Sequence, residues 1–286
     1  MTTEPTEVEL RQCALAVSVL DDIDIEPAGD GLRLPGAPVL DVAWWEVRRA
    51  LAGTAPTSTA GHRLLARWLH LRRRLAERTL PEVAEMARPV GVPTGDSNHP
   101  GVGWVRMRVL GDTLDLGLGF IGLDSAAPDR VVVVPQGMLD AAGIAAGAWW
   151  PAAHGYLERM GALAAARWQR NPSDVVRPMG DCDVVTLLGS AALRAAICTG
   201  PSGGMRAVVV PMRARGWLDL SRIDPAFAIA AYAATDPEDR GFERGLLITR
   251  DEVVMTPAGG RPHEIVLRDP AAEQAQHRRP MLYRSL

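Results

Sequence analysis

Lysine is missing altogether: this chain of 286 residues carries 31 basic side chains, and every one is arginine. Several chemistries fall with it. A P-loop needs a lysine on the phosphates, and a protein kinase needs one on its third strand. Pyridoxal enzymes and Schiff-base aldolases need a lysine amine, as do the S-x-x-K acylases. Arginine codons can be GC-rich where lysine codons are AT-rich, which points to a GC-rich genome. Cysteine is sparse: Cys13, Cys182 and Cys198 form no C-x-x-C pair, so neither a disulfide framework nor a zinc site is expected. Long apolar runs are absent, so no membrane-spanning helix is expected. The polar, acidic start lacks the basic segment of a secretory signal, and the expected location is cytoplasmic.

What is present suits a globule. The 47% hydrophobic content is enough for a real core, and the length fits one large domain or two smaller ones. Residues 176–235 organise the chain. Asp181-Cys182-Asp183 precedes an apolar run with helical spacing, which predicts a helix over 183–198 with both carboxylates near its start. Gly200 ends it. Residues 205–211 (MRAVVVP) are β-branched and predict a strand that ends at Pro211 or lies at a sheet edge. Asp224-Pro225 is the clearest helix start, with Asp as N-cap and Pro at the first helical position.

Before this stretch the periodicity predicts helices over 6–20, with Leu10, Ala14, Val17 and Leu20 inward, over 39–51, carrying Trp44 and Trp45, and over 60–78 and 81–87. The Gly/Pro-rich residues 91–103 mark a boundary. Strands are expected at 104–110, 113–121 and 130–135, and helices at 136–142 and 149–170, the latter with Trp149, Leu157 and Leu163 inward. A closing meander is expected at 245–249, 253–256 and 264–268. The expected fold is α+β: a helical N-terminal subdomain (1–95) packed on a mixed or antiparallel sheet flanked by helices (96–270), then a polar tail (271–286). Arg130-VVVV-Pro135 and Arg206-AVVV-Pro211 echo each other, and packing of buried strands explains that without duplication.

Each motif has a bland competitor. Gly117-x-Gly119-x-x-Gly122 matches a dinucleotide fingerprint, but a turn follows it where a helix is required, so glycines in a bent strand are preferred. Gly200-x-Ser202-x-Gly204 runs helix–Ser–strand, the reverse of a nucleophile elbow, and His263 downstream completes no convincing set. Asp181 and Asp183 suit a divalent cation, yet capping explains both. His154 and Glu158 make a surface pair. His99, in a polar loop beside Asp96 and Ser97, is the best single catalytic or ligand candidate.

Arginines gather in two places. Arg63, Arg67, His70, Arg74 and Arg78 share one helix face; nucleic acid is one reading. A solvated face, pairing with the acidic patch Asp21, Asp22, Asp24 and Glu26, or a protein partner are the others. The net charge of −3 favours protein over a polyanion. Arg206, Arg213 and Arg215 sit around the 205–211 strand and can receive a small anion or pair with local carboxylates.

The leading expectation is a cytoplasmic binding or regulatory protein without catalysis, acting through a protein partner or a small anionic ligand. The alternative is a hydrolase or transferase using His99 with Asp181 and Asp183, and the third is nucleic-acid binding through the 63–78 helix. No cofactor and no metal are expected. One prediction follows from sequence alone: Asp224→Ala removes an N-cap and costs about 1 kcal/mol. An unchanged denaturant midpoint would mean that no helix starts there.

Overall fold

A computed structural model describes residues 4–96, 99–100, 103–199, 204–218 and 225–255. Ser97, Ser202, Asp224, His263, the strand expected at 264–268 and the tail lie outside the described residues, as do the side chains of Trp149 and Phe227. The class is α+β, with helices and antiparallel sheets. The chain divides into two compact units, Met1–Ala87 with Phe120–Trp149, and Arg88–Gly119 with Trp150–Leu286.

The first unit begins with α1 (Glu7–Asp21). Thr6 and Glu9 form a reciprocal capping box: the Thr6 N–H donates to Glu9 at 2.8 Å and the Glu9 N–H to Thr6 Oγ1 at 3.3 Å. Leu10, Cys13, Ala14 and Val17 are buried. Leu20, expected inward, is exposed: it continues the same stripe but lies in the last turn of the helix, beyond Val17, the last buried residue of α1. A three-stranded antiparallel sheet follows, β1 (Glu26–Pro27), β2 (Gly31–Leu34) and β3 (Leu40–Ala43). The helix expected over 39–51 is therefore half strand. Leu40 and Val42 alternate inward against β2, and α2 (Trp44–Leu51) starts where the Ala43 N–H finds the Glu46 carboxylate at 3.1 Å.

Next come α3 (Thr59–Ala76), capped by Ser58, and α4 (Leu80–Met86). Leu65 and Leu69 of α3 join Leu10, Val17, Leu34, Val47 and Leu51 in one core. The Arg73 guanidinium donates to the carbonyls of Leu34, Pro35 and Pro38 and so fixes the loop before β3.

In the second unit β6 (Leu114–Phe120) lies between β4 (Ala87–Pro93) and β5 (Arg106–Val109). After β7 (Val132–Val133) and α5 (Gln136–Ala141) of the first unit, α6 (Ala146–Arg170) carries the chain back. Leu157 is buried, but Leu163, expected inward, is exposed. The echo at 130–135 yields only a two-residue strand, whereas its counterpart is β9 (Met205–Met212).

β9 is the middle of a five-stranded antiparallel sheet with β8 (Val175–Val176), β10 (Arg215–Trp217), β11 (Leu246–Thr249) and β12 (Val253–Met255) in the order β12-β11-β9-β10-β8. Pro211 neither ends this strand nor puts it at an edge. Met212 pairs with Arg215 and Val209 with Trp217, so Val210 and Pro211 together oppose Gly216. That bulge takes the residue without an N–H. The helix expected over 183–198 is two, α7 (Val184–Leu187) and α8 (Ala191–Ile197). They break at Gly189-Ser190 because α6 crosses there: a Cβ on Gly161 would lie 1.9 Å from Ser190 Oγ. The last described helix is α9 (Pro225–Ala234). Val184, Leu188, Ile197, Val208, Val210 and Phe242 build the core.

Gly161→Ala should destabilise the protein by about 1 kcal/mol or more, since overpacking outweighs the gain in helix propensity. An unaltered urea midpoint would show that α6 and the 189–190 corner part without cost.

Candidate functional site

β6 is buried along its whole length, yet its sequence, LDLGLGF, includes a carboxylate. Asp115 is only 1% exposed. Antiparallel pairing sets Arg108 opposite Asp115 and Arg106 opposite Gly117, so both arginines lie on the face that carries Asp115. Arg106 Nε donates to Asp115 Oδ2 at 3.1 Å and Arg108 Nε to Oδ1 at 3.2 Å. His99 Nε2 lies 2.8 Å from Oδ2. Burial pushes the carboxyl up; the hydrogen bonds from Arg108 and His99, the Arg108 charge and the Arg106 bond outweigh it and hold Asp115 below its ordinary range.

Trp104 completes the setting. Its Nε1–H donates to the Leu118 carbonyl at 2.8 Å, and its ring edge meets His99 at 5.6 Å between centroids. The indole lies where a side chain on residue 117 would be: a Cβ there would come within 2.3 Å of it. Gly117 therefore serves the close approach of Trp104. The glycine run sits in β6 and then in a turn where Gly122 has φ +79°. The strand-to-helix geometry of a dinucleotide fingerprint is not formed there.

This arrangement fixes one imidazole nitrogen on a buried carboxylate, as an acid–base or ligating histidine is held. His99 stood out in the sequence; Asp115 did not. The signal was a lone carboxylate in an apolar strand, with the Arg-x-Arg that answers it on the strand beside it.

Asp181 and Asp183 are engaged elsewhere. Asp183 caps α7 by accepting the Thr186 N–H at 2.7 Å, and its other oxygen takes Arg213 at 2.7 Å. Arg213 also donates to the Gly91 carbonyl at 2.8 Å. Asp181 does not cap a helix, contrary to the expectation. It accepts Arg88 Nε at 2.6 Å and the Tyr156 hydroxyl at 2.9 Å, with the Arg88 guanidinium 4.3 Å above the Tyr156 ring. Among the described residues no group of three or more His, Cys, Asp or Glu is placed to hold a metal ion. The three cysteines are buried and free. Burial pushes the Cys13 thiol up to about 11 and, with Asp183 and Asp181 adding, the Cys182 thiol up to about 12, so both are protonated at neutral pH.

Arg206, Arg213 and Arg215 address three different partners. Arg213 holds Asp183, Arg206 lies over Trp168 at 5.6 Å, and Arg215 over Trp217 at 5.9 Å. On α3, Arg67 meets Asp124 at 3.4 Å and Arg74 donates to the Gly122 carbonyl at 3.3 Å; Arg78, expected on the same helix, lies just beyond its end and meets Glu82 at 3.5 Å. Among the described residues these arginines thus use Asp124, Gly122 and Glu82 and not the acidic patch. Arg63 and His70 are exposed.

The other outward-facing feature is apolar. Val8 (66% exposed), Leu15 (46%) and Val19 (83%) lie on α1 opposite its buried face. Trp44 is buried, and it is Trp45 that is exposed, at 58%. Arg48, one turn beyond Trp45, donates to the Pro5 carbonyl at 3.3 Å, which sets the helix carrying Trp45 beside the start of α1. Among the described residues no helix is long and apolar enough to cross a membrane. Comparison with family models, curated proteins and solved structures gives no match.

Asp115→Asn should lower stability at neutral pH by about 2 kcal/mol, since it strips a buried charge from two arginines that keep part of their hydration. A carboxyl held below its ordinary value stabilises the fold above about pH 4 and loses that contribution as pH falls further. The gap between variant and parent should therefore narrow from neutrality to about pH 3. Urea midpoints at the two pH values test it, and a constant or widening gap refutes it.

Proposed function

We propose that this chain is a binding protein without catalysis, that it acts through a protein partner, and that the outer face of α1 is where the partner docks. The observation that carries this is the seam of Val8, Leu15 and Val19, exposed directly opposite a fully buried face of the same helix. Single exposed leucines are ordinary. Three large apolar residues in one line form the kind of patch that marks interaction surfaces. Covering such side chains is worth about 1.5–3 kcal/mol each before the cost of association. Charge supports protein over nucleic acid, because the residues around this seam are acidic.

A second reading, a hydrolase or transferase, retains one observation: His99 held 2.8 Å from buried Asp115. It differs from the sequence expectation in its carboxylate, since Asp181 and Asp183 are bound to arginines.

The test is photo-crosslinking in cells of the source organism, with the reactive residue at position 19 or, as a control, at exposed Asp251. A discrete adduct from position 19, absent from position 251 and lost when Leu15→Glu is added, is expected. Leu15 is exposed, so its replacement leaves the fold intact within about 0.5 kcal/mol. Identical patterns at the two positions would defeat the reading. An adduct lost in His99→Ala but kept in Leu15→Glu would move the function to the His99 loop.

A further inference from the structure

Resting on that docking reading, we propose that the partner of α1 is an amphipathic helix with an apolar seam and basic residues at both of its ends. The geometry of the seam comes first. Val8, Gln12, Leu15 and Val19 are separated by four, three and four residues, the alternation of the two seam positions in a helix pair. The line runs about 16 Å at 1.5 Å per residue. A second helix laid along it meets apolar side chains at three of the four positions. Gln12, at the fourth, is a polar seam residue of the kind that fixes register.

Charge then chooses among the helices that fit. Residues 4–26 contain Glu4, Glu7, Glu9, Asp21, Asp22, Asp24 and Glu26 against the single cation Arg11. Glu9 is occupied by the Thr6 cap. Glu4, Glu7, Asp21, Asp22 and Asp24 make no ion pair among the described residues. Glu4 and Glu7 stand before and at the first turn of α1, and Asp21, Asp22 and Asp24 at and beyond its last turn. Both ends of the seam thus offer carboxylates that have no ion-pair partner among the described residues. A second copy of α1, parallel or antiparallel, would set carboxylates against carboxylates. An anionic membrane or a nucleic acid meets the same repulsion. Arginine or lysine at both ends of the incoming helix removes it and steers the encounter.

Two synthetic, covalently stapled helical peptides with the same leucine seam, one with arginines at both ends and one with glutamates, are titrated against the full chain by fluorescence anisotropy. The arginine peptide is expected to bind at least about tenfold more tightly, and to weaken severalfold as salt rises, because surface charge is screened. Val19→Asp should abolish binding of both peptides. The triple change Asp21→Asn, Asp22→Asn, Asp24→Asn should erase the preference while leaving the weaker, charge-independent binding. Equal binding of the two peptides overturns the basic-helix proposal and leaves the docking reading in place. Binding of neither peptide, with concentration-dependent self-association in sedimentation that Val19→Asp abolishes, assigns the face to a second copy and overturns the proposal. Binding of neither, with no adduct from position 19, removes both.

Discussion

A guanidinium donating to a backbone carbonyl is the interaction on which much of this structure depends. Arg73 ties three carbonyls of one loop. Arg72, only 4% exposed, reaches the Met138 carbonyl, and Arg74 that of Gly122. In the second unit Arg194 joins the carbonyls of Leu188 and Arg250, Arg167 those of Arg177 and Pro178, and Arg213 that of Gly91. Each bond from a charged donor is worth about 1.5–3 kcal/mol. The planar fork holds two or three acceptors at once, which an ammonium on a flexible stem does less well. A chain with arginine in place of every lysine therefore closes its loops with cations. Arginine density along its sequence is a poor guide to which surfaces attract anions.

That same constraint governs how much was legible in advance. Helices α1, α3, α5 and α6 could be read because caps and 3.6-residue periodicity are local properties. β9 and β11 could be read because a β-branched run is local too. β4, β8 and β10 could not, since what makes them strands is the neighbour that pairs with them. The corner at Gly189-Ser190 was missed although Ser190 is a local cap that accepts the Leu193 N–H, because the close approach of Gly161 from another helix is not written in the local sequence. Leu20 and Leu163 were placed inward because hydrophobicity alone does not say where an apolar face runs out.

The candidate sites divide along the same line. His99 was legible as a histidine in a polar loop, but its partner depends on a strand register that sets Arg108 across from Asp115. Asp183 was legible as a cap. Asp181 was misread as a second one, because Arg88 and Tyr156 come from distant parts of the chain. The α1 seam was missed although its residues share one helix: periodicity placed Leu10, Ala14 and Val17 inward but did not say that the opposite stripe of Val8, Leu15 and Val19 stays uncovered.

The order of the two units along the chain has a consequence for synthesis. The first unit is interrupted: it stops at Ala87 and resumes at Phe120, after a stretch that belongs to the second. At about 5–20 residues per second, a ribosome needs several seconds to go from Ala87 to Trp149. Early in that interval the helix bearing Arg67, Arg72 and Arg74 has been made, but Gly122, Asp124 and Met138, which it holds in the finished protein, have yet to follow. The nascent helical unit is thus an unfinished surface with a buried guanidinium still in water. Its final closure is timed by translation of a segment beyond the insertion, and a pause placed after Ala87 would prolong the one period in which that surface is open.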